Sequence, residues 1–128
     1  MAGSQVRYRK AADVSHGRGL MNLDEFQDRC AETVVYPNPG ENYIYPVLGL
    51  VSEAGEVADR VKRIQRDDQG VVTEEKRREI AGELGDVLWY VAQVASEFKL
   101  SLNQVARQNV AKLGGRMDRN ALHGFGDR

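Results

Sequence analysis

Apolar residues recur every three or four positions through four separate stretches of this chain, and residues that punctuate helices flank each stretch. Leu23, Phe26, Cys30 and Val34 follow Asn22 and Glu25, a capping-box pair, and the turn residues Pro37, Pro39 and Gly40 predict where that first helix stops. A second stripe, Leu50, Ala54, Val57, Val61 and Ile64, opens near Pro46 and gives way to a loop at Asp67, Asp68, Gln69 and Gly70. Thr73, with Glu74 and Glu75 behind it, caps a third helix whose stripe is Ile80, Leu84, Val87, Val91, Val94 and Phe98. Ser101 and Gln104 open a fourth through Leu102, Val105, Val110 and Leu113, and Gly114 and Gly115 are expected to end it. No window alternates polar with apolar for long enough to argue a buried strand, so the expected class is all-α, of four-helix-bundle type.

The third stretch carries Leu88, Trp89, Tyr90, Val91 and Ala92 in succession, leaving no polar face over more than a turn. A helix of that kind needs cover on several sides. A chain this short supplies few covers, which predicts a homodimer, or a tetramer built as a dimer of dimers, with this helix at its centre.

Acidic residues repeat in phase with two of the stripes. EAGEV at residues 53–57 returns as ELGDV at 83–87. At 100° per residue, with Leu50 at zero, Glu53 and Glu56 fall at about −60° and −120°, and Glu83 and Asp86 take roughly the same angles relative to Ile80. If the two helices pack antiparallel by their stripes, four carboxylates can enter one volume. Their repulsion calls for a divalent cation, and oxygen-only ligation selects magnesium, manganese or calcium over zinc or copper. Gly55, Gly82 and Gly85 each cost a helix about 1 kcal/mol relative to alanine, and the expected compensation is close approach of the two backbones. A redox dimetal bundle is disfavoured, because it needs Glu-x-x-His and the two histidines, His16 and His123, follow no glutamate at that spacing.

Composition narrows the function further. The 128 residues suit one domain over 22–128, preceded by a flexible leader over 1–21 that lacks a signal-peptide core. A net charge of −1 gives no global attraction to nucleic acid or to anionic membrane. One cysteine, Cys30, allows no internal disulfide and sits on an apolar stripe, so core packing in a reduced, cytoplasmic protein is expected.

Glu53-x-x-Glu56, twenty-six residues, then Glu83-x-x-Asp86, together with GLVSEAGEVAD, EIAGELGDVLWYV, NVAKLGGR and the closing LHGFGD, resembles the all-α MazG-like nucleoside triphosphate pyrophosphohydrolases from about residue 22 onward. The resemblance implies hydrolysis of a nucleoside triphosphate, with deoxynucleotides the expected class, to monophosphate and pyrophosphate by metal-bound water attacking the α phosphorus. It also implies magnesium, with manganese able to substitute, held by Glu53, Glu56, Glu83 and Asp86. Glu53 or Glu56 is the expected base, and sequence alone does not separate them. Asn109, Lys112 and Arg116 are similar to the family's phosphate-contacting residues, and their spacing puts an amide and two cations on one helical face. Tyr43, Tyr45, Trp89 and Tyr90 are candidates to stack on a base, and His123 and Asp127 to close over it. The competing reading is a noncatalytic nucleotide- or metal-binding helical module.

Overall fold

Each helix begins where a polar side chain can occupy the free amides of its first turn. The computed structural model describes residues 19–119 and holds α1 (Leu23–Ala31), α2 (Ile44–Asp67), α3 (Glu74–Glu97) and α4 (Leu102–Asp118), with no strand among the described residues. Asn22 Oδ1 accepts from the Glu25 amide at 2.8 Å while the Glu25 carboxylate accepts from the Asn22 amide at 3.1 Å, completing the capping box of α1. The hydroxyls of Thr73 and Ser101 cap α3 and α4 in the same sense. At α2 the capping is displaced by one residue: Tyr43 makes no side-chain cap, and Asn42 Oδ1 accepts from the Tyr45 amide instead.

Two boundaries differ from expectation. α1 ends at Ala31, well before Pro37, because the amides of Glu32 and Thr33 turn back to the carbonyls of Arg29 and Cys30, and the Thr33 hydroxyl donates to Cys30 as well. α4 continues through Gly114 and Gly115 to Asp118. Glycine weakens a helix but stops it only when its backbone turns left-handed, and among described glycines only Gly40 and Gly70 do so.

α2 and α3 pack along most of their length. Arg60 meets Glu79, Glu53 meets Asp86 and Gly49 meets Tyr90, so positions descend on one helix as they rise on the other and the pair is antiparallel. The core lies at one end of this pair. Cys30, Ala92, Ala95 and Leu102 form its buried centre, with Leu23, Phe26, Trp89 and Val91 around them, so α1 and the start of α4 cover only the C-terminal half of α3. Burial pushes the Cys30 thiol up to about 11, which fits the expected packing role.

Polar side chains fasten that junction. Gln27 donates to Ser96 Oγ and the Leu100 carbonyl and accepts from the Leu102 amide, joining α1 to the α3–α4 link. Glu97 gathers the 36–42 loop by accepting from the Tyr36 hydroxyl at 2.6 Å and from the amides of Gly40 and Asn42 at 3.0 and 3.1 Å. Burial alone would raise the Glu97 pKa, but these three donors together outweigh it and hold the carboxyl below its ordinary value.

The run over 88–92 finds part of its cover within the chain. Ala92 is fully buried, whereas Leu84 and Leu88 on α3 stay exposed, as do Leu48 and Val51 on α2, the last two at 65 % and 68 %. By helical phase Val51, Leu84 and Leu88 lie on the flank away from the acids, and Leu48 lies at its edge. The glycines also depart from expectation. A Cβ at Gly55, Gly82 or Gly85 would meet no atom within 4 Å, so these residues do not draw α2 and α3 together within the chain. Residues 1–18 and 120–128 lie outside the described residues, and with them His16, His123, Asp127 and most of the expected leader.

Tyr36→Phe is expected to lower the unfolding free energy by about 1–3 kcal/mol, the cost of leaving the buried side of Glu97 short of a donor, as read by urea denaturation with an unchanged slope. Because the Glu97 pKa is lowered on folding, its contribution is complete above the unfolded-state value and is lost as pH falls through the lower folded one. Glu97→Gln should therefore flatten the acid limb of stability against pH.

Candidate metal centre and adjoining cavity

Glu53 leaves α2, and Glu83 and Asp86 leave α3, each from the flank that their helical phase assigns. One carboxylate oxygen from each lies within 4.8 Å of the others. Oxygens bound to one divalent cation stand roughly 3–5 Å apart, so this donor set fits a hard cation with oxygen ligands. Glu56 stands one turn further along α2, exposed and outside this group. Glu53 is half-buried, and its pKa is raised first by that burial and then by the charges of Asp86, Glu83 and Glu56.

A cation of the protein's own already contacts the cluster. Arg60 Nε donates to Glu83 Oε1 at 2.9 Å and its Nη1 meets Glu79 Oε2 at 3.3 Å, while Lys76 Nζ reaches Glu79 at 3.3 Å. Sequence reasoning passed over Arg60. The signal was present, because at about −80° on the same wheel it falls between Glu53 and Glu56.

Beside the acids opens a cavity of about 350 Å³ lined by Thr33, Glu53, Asp86, Trp89 and Tyr90. Trp89 Nε1 donates to Thr33 Oγ1 at 2.8 Å, and the Trp89 and Tyr90 rings meet edge to face with centroids 4.9 Å apart. A second cavity of about 280 Å³ shares Glu53 and Tyr90 and adds Tyr45, Leu48, Gly49 and Ser52. Of the four aromatic candidates, Tyr45, Trp89 and Tyr90 therefore border the acids, while Tyr43 packs against Phe98 instead. Gly49 explains the Tyr90 position, since a Cβ there would collide with the ring.

Asn109, Lys112 and Arg116 lie on α4, whose main packing is against α1, and none of them lines these two cavities. A wider groove of about 630 Å³ opens at the α1–α4 junction. Three of its polar residues are committed to the fold: Asp24 accepts from the Asn103 amide and from Ser101 Oγ, which together hold its pKa low, and Asn103 Oδ1 accepts from the Leu23 amide.

The acidic cluster, and every residue lining its cavity except Thr33, falls within residues 45–120, which match the model of the MazG nucleotide pyrophosphohydrolase domain. The chain belongs to the MazG family. Membership implies nucleotide pyrophosphohydrolase activity, a hydrolase reaction that typically depends on a divalent metal. This MazG protein is also 44 % identical over 112 residues to the gene 37 protein of Mycobacterium phage L5, covering 84 % of this chain and 98 % of that one. No solved structure matches it. No helix among the described residues is long and apolar enough to cross a membrane.

Gly49→Ala should destabilise the protein by about 1–3 kcal/mol through overpacking against Tyr90, whereas Gly82→Ala, which meets open space, should stabilise it by about 1 kcal/mol. Thermal or urea unfolding of the two variants measures the difference.

Proposed function

We propose that this MazG protein is a magnesium-dependent pyrophosphohydrolase that cleaves nucleoside triphosphates, with deoxynucleotides the expected class, to monophosphate and pyrophosphate. The observation that carries this reading is the convergence of Glu53, Glu83 and Asp86 oxygens within 4.8 Å on two antiparallel helices. Glu53, Glu83 and Asp86 would hold the cation, with Glu56 at the edge of the set. Bound there, magnesium or manganese supplies charge neutralisation at phosphate oxygens and acidifies a water molecule.

The remaining work falls to the chain. Glu53 and Glu56 are the candidate proton acceptors, and Glu53 is the stronger one, because it borders both cavities and burial beside like charges makes it more basic. The aromatic wall of Tyr45, Trp89 and Tyr90 suits a nucleoside lying beside the phosphates, since aromatic faces accept any base. Asn109, Lys112 and Arg116 keep their assignment to phosphate contacts. They line neither cavity beside the acids, which is compatible with their acting from a neighbouring protomer.

A homodimer, or a tetramer made from two, supplies that neighbour. Leu48, Val51, Leu84 and Leu88 expose apolar surface beside Gly55 and Gly85, and small residues let a second helix pair approach closely. The cytoplasm is the expected compartment for a nucleotide hydrolase with one reduced thiol.

Glu53→Gln and Asp86→Asn should fold normally yet lose about 100-fold or more of magnesium-dependent pyrophosphate release, assayed over a panel of nucleoside triphosphates with and without chelator. Full activity in both variants, or orthophosphate with diphosphate as products, contradicts the reading; nucleotide binding without turnover points to the noncatalytic module. For the assembly, Leu84→Glu combined with Val51→Glu is expected to convert an oligomer to monomers by light scattering, and a monomeric parent protein would rule the oligomer out.

A further inference from the structure

Arg60 reaches from α2 across to α3 and grips two acids one turn apart, Glu79 and Glu83. The arrangement is braced from both ends. Glu79 is held by Lys76 as well as by Arg60, and the Glu83 side chain keeps only 14 % of its surface exposed. Lys76, Glu79, Arg60 and Glu83 thus form a continuous charged ladder that ends on a member of the carboxylate cluster.

This contact decides what Glu83 can offer. With Oε1 accepting from a guanidinium at 2.9 Å, the carboxylate is turned so that one oxygen is favoured for an incoming cation. Magnesium prefers single-oxygen ligation in a near-octahedral shell, whereas calcium takes more oxygens and readily accepts both from one carboxylate. Partners that orient a ligand commonly change metal affinity by about 10–100-fold when removed.

We propose that Arg60 is a positioning residue that holds Glu83 to single-oxygen ligation and so sets the preference of the site for magnesium over calcium. The assignment rests on the proposed cation site. Arg60 acts through Glu83 and needs no contact with the nucleotide. Its planar two-pronged grip is what matters, because a bare positive charge would repel both cations alike without distinguishing them.

Calorimetric titration of the full chain with magnesium alone and with calcium alone, in the absence of nucleotide, gives the ratio of the two affinities. Arg60→Gln and Arg60→Lys are both expected to lower the magnesium-to-calcium preference by about tenfold or more, with Lys failing to restore it, and Glu79→Gln to lower it in the same direction by less. Arg63→Gln removes a neighbouring arginine that pairs with Asp59 inside α2 and should leave the ratio as it is. Circular dichroism of each variant separates unfolding from a change at the site, and the lysine variant retains the charge if the glutamine variant does not fold. An unchanged ratio in both Arg60 variants, full rescue by lysine, or equal tightening of both cations overturns the assignment while leaving the cation site in place. Uptake of neither cation by the parent protein overturns the site and the assignment together.

Discussion

Carboxylates brought within a few ångströms of one another repel, and a fold that gathers them must provide positive charge or accept protons. In this protein that constraint organises the α2–α3 pair. Glu53, Glu83 and Asp86 converge, Glu53 becomes more basic, and Arg60 compensates part of the charge by bridging Glu83 to Glu79. The same tension makes the cluster receptive to a divalent cation. A site whose acids were already fully paired would have little reason to take one.

The scaffold meets this demand with an economy of contacts. The antiparallel pair sets the acids face to face, while the hydrophobic core sits beyond them, where α1 and α4 clasp the far half of α3. Thr33 stands where the two regions meet. Its hydroxyl closes the end of α1 and also receives the Trp89 indole proton, so the wall of the cavity is tied directly to the end of the packed core. Gly49 serves the other wall by making room for Tyr90.

Features confined to one helical turn were legible in the sequence. The capping pairs at Asn22, Thr73 and Ser101, and the common phase of the two acidic doublets, depend only on residues three or four positions apart. Features that depend on the register between helices were not. The wheel places Arg60 on the acidic flank, but which α3 residues it meets, Glu79 and Glu83, follows from the register, as does the tie between Glu97 and the 36–42 loop, and the helical glycines invited a close α2–α3 contact that the packing does not make. Gly114 and Gly115 misled for a local reason, since glycine permits a helix to end without requiring it. Glu56 shares its wheel position with the gathered acids but not their reach across the pair.

The uneven placement of the core gives α3 two mechanical characters. Its later turns, around Ala92 and Ala95, are enclosed on several sides, while its early turns lean on α2 alone. Backbone amides along this one helix should therefore differ in how readily they exchange with solvent deuterium, slowest near Ala92 and fastest toward Glu74. Glu83 and Asp86 ride on the looser half, so a bound ion or substrate would tighten a segment that hydrophobic packing leaves only lightly restrained.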